Sequence, residues 1–155
     1  MMTVYEKDTP RSWLSLTDRA AARARDPLIL LARLFMGAIF VMDGWEKLND
    51  IPRFVASAVN RGIPELLSYV APFVEFLGGV LLITGLATRY TSLIIIVFIT
   101  IASFSSHRYW EAAPAQYAGQ FNNFWKNVAM TGGAILLFVT GAGRYAIDAL
   151  LLRRA

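Results

Sequence analysis

The stretch from Pro64 to Arg89 constrains the fold most, because it is long and apolar enough to cross a bilayer and yet carries a carboxyl group, Glu75, near its middle. A membrane-spanning helix needs about 20 mostly apolar residues. A charged side chain at its centre costs roughly 2.5–3.5 kcal/mol on insertion scales and almost never faces lipid. Gly78 and Gly79 follow one turn later, and such small residues let another helix approach closely. We therefore expect other helices to surround Glu75.

Three further apolar runs predict an all-α fold, an integral membrane four-helix transmembrane bundle. The spans are expected at about residues 28–48, 64–86, 90–106 and 124–141, within a transmembrane domain of residues 27–155. Hydrophobic residues make up 56% of the chain, against about 45–50% in soluble domains. The basic residues flank the apolar runs instead of forming one basic soluble face, so we expect no nucleic-acid partner.

The distribution of basic residues predicts how the bundle is oriented. Nine of them fall on the side that holds both termini, and five fall on the opposite side. Basic residues are enriched in cytoplasmic loops of membrane proteins. We therefore expect a multi-pass protein of the bacterial cytoplasmic (inner) membrane, with both termini in the cytoplasm.

Residues 1–26 are expected to form a cytoplasmic N-terminal tail. Trp13, Leu16 and Ala20 recur near helical spacing among arginines, which fits either a short interfacial helix on the anionic leaflet or a solvated tail. Asp26 followed by Pro27 is typical of a helix start, with Asp26 as the N-cap of the first span.

The residue types limit the redox chemistry that this chain can perform alone. It contains no cysteine and a single histidine, His107. Iron–sulfur clusters, bis-histidine haem and multi-histidine metal sites need more of these ligands, so none is expected from this chain. Any redox function requires a diffusible cofactor or a partner protein.

Glu75 is the leading candidate for a functional residue. Helical side chains lean toward the N-terminus of their own helix, which directs Glu75 toward polar residues at the outer ends of the first and fourth spans. These residues are Asp43, Lys47, Lys126 and Asn127. Buried carboxyl groups in membranes are usually functional, so we interpret Glu75 as a ligand or proton site. The alternative is a hydrogen-bonded carboxyl that only fixes helix packing.

Three other charged or titratable residues leave alternatives open. Arg33 lies inside the first span and leans away from Glu75, so we expect it to extend toward the membrane surface or to bind lipid phosphate. Lys126 either contributes to the site or extends to the outer interface. His107 is either a solvated loop residue or a group whose ordinary pKa suits proton exchange with a quinone.

Several short motifs, in order, resemble the DoxX family of small four-helix bacterial membrane proteins. They are Arg33-Leu34-Phe35-Met36-Gly37, Gly44-Trp45-Glu46-Lys47-Leu48, Gly62-Ile63-Pro64, Glu75-Phe76-Leu77-Gly78-Gly79, Gly85-Leu86-Ala87-Thr88-Arg89, Asn123-Phe124-Trp125-Lys126-Asn127 and Gly141-Ala142-Gly143-Arg144-Tyr145 with Asp148. This chain has Asp43 where the family often has histidine, and Ala146 where it often has serine. The resemblance implies a role like that of the membrane subunits of thiosulfate:quinone oxidoreductase, or a place in an oxidative-stress complex.

The resulting hypothesis is a membrane subunit of a quinone-linked oxidoreductase. Glu75 or His107 would exchange protons, while Lys47, Lys126 and Asn127 would orient carbonyl oxygens. A second hypothesis is a non-catalytic scaffold that docks a partner redox or stress-response complex, and a third is a carrier of protons or small solutes. The expected partners are the lipid bilayer and either another protein or a second copy of the chain. The sequence leaves open whether the chain is catalytic.

Overall fold

The computed structural model describes the backbone of residues 13–152 and the side chains of residues 17–152. Within that range the chain is helical and contains no strand, which confirms the all-α prediction. The elements are α1 (Trp13–Asn49), α2 (Ile51–Asn60), α3 (Glu65–Thr84), α4 (Thr88–Ser106), a 3-10 turn (Tyr109–Glu111), α5 (Pro114–Thr140) and α6 (Ile147–Leu152). The first part of the predicted N-terminal tail and residues 153–155 lie outside the described residues.

Three helices in the described part of the chain are long and apolar enough to cross a membrane. They are α1, α3 and α4, the last taken through to Glu111. Helix α5 is not among them, because Asn122, Asn123, Lys126 and Asn127 make its first half polar. The described residues form six α-helices in all, and the predicted count of four spans stays a prediction.

Helix α1 begins earlier than the sequence predicted. It runs without interruption from Trp13 to Asn49, so Pro27 lies inside the helix and Asp26 is not its N-cap. Alanine and arginine dominate residues 19–25 and are strong helix formers. Their propensity favours a helix that continues through Pro27, although the proline removes one backbone hydrogen bond and its ring crowds the preceding turn. The Asp26 side chain instead accepts a hydrogen bond from the backbone N–H of Arg144 at 3.1 Å.

Glycines bring α1 and α3 into close antiparallel contact. A Cβ atom on Gly37 would lie 2.7 Å from the carbonyl oxygen of Gly79, and one on Gly79 would lie 2.7 Å from the backbone nitrogen of Val41. A Cβ on Gly44 would lie 2.5 Å from the backbone nitrogen of Phe76. No side chain larger than hydrogen fits between the helices at these positions. The predicted close approach at the Gly78–Gly79 pair is therefore confirmed for Gly79.

A tight turn joins α3 to α4 and is fixed by the last helix. Gly85 and Ala87 both have left-handed backbone angles, with φ of 67° and 50°. The Asp148 carboxylate, in α6, accepts hydrogen bonds from the backbone N–H groups of Ala87 and Thr88, at 2.7 and 2.9 Å. The backbone N–H of Asp148 donates to the Gly85 carbonyl oxygen at 3.0 Å. Helix α6 thus provides the N-terminal cap that α4 lacks in its own sequence.

Helix α2 covers one end of the α1–α3 pair. Asp50 caps it by accepting a hydrogen bond from the Arg53 N–H at 3.2 Å. Its apolar face carries Val55 and Ala58, both buried. Helices α4 and α5 pack against the other side of α1 and α3 around a core that includes Leu82, Ile95, Ile99, Ala134 and Leu137. This arrangement leaves a space under α2, between α3, α4 and α5.

Candidate functional site

The site is built on an ion pair between α1 and α3. The Lys47 ammonium group, which lies on α1, donates hydrogen bonds to both carboxylate oxygens of Glu75. Glu75 is 7% exposed, whereas the Lys47 side chain keeps 26% of its surface exposed. Asp43 lies one turn before Lys47 on α1 and adds a second negative charge near Glu75. The Lys47 nitrogen also lies 5.4 Å from the ring centroid of Phe54, on α2.

A cavity of about 710 Å³ opens beside this ion pair. Cavities of roughly 300–1,000 Å³ are typical of small-molecule sites. Six of the site residues predicted from the sequence line it: Asp43, Lys47, Glu75, His107, Lys126 and Asn127. The remaining wall is mostly aliphatic and aromatic, with Phe40 and Phe98 among its members. The structure therefore brings together, in one partly apolar cavity, residues that are far apart in the sequence.

The sequence did not indicate five polar residues of the cavity wall: Arg61, Ser68, Ser105, Ser106 and Gln120. Ser68 is 1% exposed and lies two turns before Glu75, so their common helical face would have revealed it. Arg61 follows α2 and Gln120 lies near the start of α5. Neither has an apolar periodicity around it that points to the site. Partial burial lowers the pKa of the Arg61 guanidinium, which still remains protonated at neutral pH.

His107 ends α4 and faces the same cavity. Its Nδ1 atom lies 3.0 Å from the Gln120 side-chain oxygen, which fixes the orientation of the ring. The residue is half-buried, which is more than a fully solvated loop histidine would be. His107 is therefore held at the wall of the cavity, opposite the helices that carry Lys47 and Glu75.

Arg33 lies away from this cavity, at the opposite end of the α1–α3 pair. It is 1% exposed, and its guanidinium donates hydrogen bonds to the carbonyl oxygens of Ala142, Ile83 (3.2 Å) and Tyr145 (2.8 Å). The expectation that Arg33 reaches the membrane surface or lipid phosphate is wrong. The reason is that the chain ends α3 and α5 at the level of Arg33 and so supplies free backbone carbonyls there.

Aromatic residues surround the cavity end of the bundle. Tyr109, Trp110, Phe121, Phe124 and Trp125 contact one another, mostly edge to face, with ring centroids 5.1–6.2 Å apart. Trp110 and Trp125 are each about half exposed. This pattern is typical of aromatic residues at a membrane interface. The cluster also fixes the link between α4 and α5, from which His107 and Gln120 reach the cavity.

Cationic side chains outnumber carboxylates around the cavity. Among the described lining residues, the cations Lys47, Arg61 and Lys126 face the carboxylates of Asp43 and Glu75. In residues 13–152 no three histidine, aspartate or glutamate side chains gather closely enough to hold a metal ion. The donor groups suit a ligand that carries hydrogen-bond acceptors, such as carbonyl oxygens.

The fold and the cavity define a helical membrane protein with a polar site between its helices. The DoxX family model matches residues 28–108, and the chain belongs to the DoxX family. It is 29% identical to the Inner membrane protein YphA of Escherichia coli, over 81% of this chain and 91% of YphA. It is 30% identical to the Inner membrane protein YqjF of the same organism, over 85% of this chain and 98% of YqjF.

A third relative matches only part of the chain. It is the Bacillus subtilis protein named Putative oxidoreductase CatD, 37% identical over 60 residues, which cover 39% of this chain and 45% of CatD. No solved structure matches the chain significantly.

Proposed function

We propose that this chain is the membrane subunit of a quinone-linked oxidoreductase and that the cavity beside Glu75 holds a quinone head group. The observation that carries the proposal is the Lys47–Glu75 pair at the wall of that cavity, where a hydrogen-bond donor and a proton acceptor lie side by side. The name of the partial relative CatD also refers to an oxidoreductase.

The residues of the cavity fit a quinone ring by their chemistry. Lys47 and Lys126 offer ammonium donors and Asn127 offers an amide, and each can bind a carbonyl oxygen. Phe40 and Phe98 provide flat apolar surface beside these donors. A quinone bound there would supply the capacity to accept two electrons and two protons, which the side chains of this chain lack.

The chain's own residues then divide the work of binding and proton handling. Lys47 orients a carbonyl oxygen by sharing its N–H donors between that oxygen and Glu75. Glu75, which is almost enclosed, holds or releases a proton beside it. His107, fixed by Gln120 at the cavity wall, exchanges protons with the water at that end of the bundle.

The electrons enter from a partner protein in this proposal. The chain contains no cysteine, so it provides no thiolate ligands for an iron–sulfur cluster that could relay electrons. We further propose that α5 crosses the membrane as a fourth span, that both termini are cytoplasmic and that the protein lies in the inner membrane. The distribution of basic residues and the printed names of YphA and YqjF support this placement.

The experiment compares the wild type with Glu75→Gln and, as a matched control, Glu46→Gln. Glu46 is an exposed carboxyl group on α1, close in sequence to Lys47 but not in the cavity wall. Each protein is purified in mild detergent, its lipids are extracted, and the bound quinone is quantified. Quenching of tryptophan fluorescence by an added benzoquinone gives the affinity.

Quinone is expected to co-purify with the wild type and with Glu46→Gln. Glu75→Gln is expected to bind quinone at least about tenfold more weakly, because Lys47 loses the charged partner that orients it. The proposal fails if no quinone co-purifies and added quinone does not bind the wild type. Recovery of a stoichiometric redox partner whose activity is insensitive to Glu75→Gln would favour the docking scaffold instead.

A further inference from the structure

We propose that the groove between α3 and α4 binds the apolar tail of a membrane-resident quinone, which enters the head-group cavity sideways from the lipid. The inference rests on the proposed function and narrows its substrate class to quinones that carry a long hydrocarbon chain. Its physical basis is that α3 and α4 line the cavity mainly with apolar side chains, whereas α1 and α5 supply most of its charged groups.

Helices α3 and α4 are in contact at one level and also line the cavity together. A Cβ atom on Gly78 would meet the Ile95 side chain at 3.4 Å, which is ordinary packing distance. The residues that define the groove include Leu67, Val70 and Val74 on α3, and Leu93, Val97 and Ile101 on α4.

The residues of this groove are also exposed on the outside of the bundle. Val70, Val97 and Ile101 each line the cavity, yet 45%, 52% and 56% of their surfaces are exposed. Their place in the cavity wall and their exposure together indicate that the cavity reaches the outer surface between the helices. Helices α3 and α4 are both candidate membrane spans, so that surface faces lipid and not water. The groove is therefore a lateral opening toward the bilayer.

Most charged groups of the cavity come from helices other than α3 and α4, with Asp43 and Lys47 on α1 and Lys126 on α5. Apart from Glu75, the α3–α4 groove is lined mostly by apolar side chains. Two serines on these helices, Ser68 and Ser105, donate their hydroxyl groups to backbone carbonyls nearby in the chain. An occupant that satisfies both parts has hydrogen-bond acceptors at one end and a flexible apolar chain at the other. An apolar helix of a partner protein would offer no hydrogen-bond acceptors to the donors of Lys126 and Asn127.

The experiment measures binding of two benzoquinones that share one ring, with and without a decyl chain, in lipid nanodiscs. Val97→Trp fills the groove, and Val139→Trp is the matched control, since Val139 is 63% exposed on α5 and does not line the cavity. Comparing variants in the same nanodiscs cancels the partitioning of each quinone into lipid. The affinity for the ring alone reports whether the head-group cavity is intact.

Relative to Val139→Trp, Val97→Trp is expected to bind the decyl quinone at least about tenfold more weakly, because burial of the chain is lost, and to bind the ring alone equally well. Equal binding of the decyl quinone by both variants would overturn the tail groove and leave the head-group cavity standing. Failure of the wild type to bind either quinone would overturn the proposed function itself. Equal weakening of both quinones by Val97→Trp would also overturn the inference, because the groove would then act on the ring.

Discussion

The two ends of the α1–α3 pair each enclose a charged side chain, and they satisfy it in opposite ways. At one end, Arg33 is surrounded by backbone carbonyl oxygens of Ile83, Ala142 and Tyr145. At the other end, Glu75 is paired with one side chain, Lys47, at the edge of a cavity. Backbone acceptors cannot move or change protonation, whereas a side-chain partner can do both. The Arg33 end is therefore suited to holding the fold, and the Glu75 end is suited to exchanging partners with a ligand.

The largest expected effect is at the Arg33 end. Arg33→Met would remove the donor from three partly buried carbonyl groups and should lower the free energy of unfolding by roughly 3 kcal/mol. Arg23→Met is the matched control, because Arg23 is exposed on the same helix. Thermal unfolding in detergent measures both. A loss no larger for Arg33→Met than for Arg23→Met would show that the buried cation does not hold the fold.

The Glu75 end should respond to a single substitution but recover with a second. Lys47→Met leaves the enclosed carboxylate unpaired and should cost about 2 kcal/mol of stability, less than for a fully buried pair because Lys47 is partly exposed. Adding Glu75→Leu should restore stability to within about 1 kcal/mol of the wild type, since apolar residues often replace a buried ion pair without loss. Both Lys47→Met and the double variant should fail to bind quinone, because Lys47 is the proposed donor to its carbonyl oxygen. Failure of the second substitution to restore stability would contradict this difference between the two ends.

Glycine substitutions at the two ends of the α1–α3 pair distinguish effects on helix packing from effects on quinone binding. Gly37→Ala and Gly44→Ala should each lower stability by about 1–3 kcal/mol, because the new methyl group overlaps the facing helix. Gly44 lies one turn from Lys47, so Gly44→Ala should also weaken quinone binding, whereas Gly37→Ala should not. Gly132→Ala, where no atom lies within 4 Å of the new Cβ, is the control and should be neutral or slightly stabilising. Equal effects of the two substitutions on quinone affinity would argue against the separation.

The smallest expected effect concerns the cap of α4. Asp148→Ala removes the acceptor for the N–H groups of Ala87 and Thr88 and should lower stability by about 1 kcal/mol. Quinone affinity should remain unchanged, because Asp148 lies at the end away from the cavity. A measurable change in affinity would mean that the turn between α3 and α4 controls the site from a distance.

The neighbours of Glu75 could be predicted from the sequence because they follow from helical geometry. Helical side chains tilt toward the N-terminus of their own helix, so Lys47 on α1 and Glu75 on the antiparallel α3 tilt toward each other. Both residues also belong to long apolar segments that are easy to recognise. The roles of these residues in catalysis or binding stay predictions. Arg61 and Gln120 could not be predicted, because Arg61 follows α2 and Gln120 lies in the polar first half of α5, where no apolar periodicity indicates which way a side chain faces.

The Arg33 end could not be predicted in the same way. Its acceptors are main-chain atoms, which leave no trace in residue type, and two of them lie more than 100 residues away in the sequence. The start of α1 was misplaced for a related reason. The pair Asp26–Pro27 is a local signal for a helix start, but the alanine- and arginine-rich residues before it favour helix strongly enough to continue through the proline.

The carbonyl groups that hold Arg33 bear on the order of events during synthesis. Two of the three belong to Ala142 and Tyr145, beyond the end of α5, so they leave the ribosome long after the first helix. Once α3 has been made, the arginine has one of its final acceptors, Ile83, and the rest of its guanidinium must find water or lipid headgroups until residues 142–145 follow. Residues that follow α5 thus complete the burial of a cation carried by α1, and a nascent chain cut short after α5 would lack two of the three acceptors of that cation.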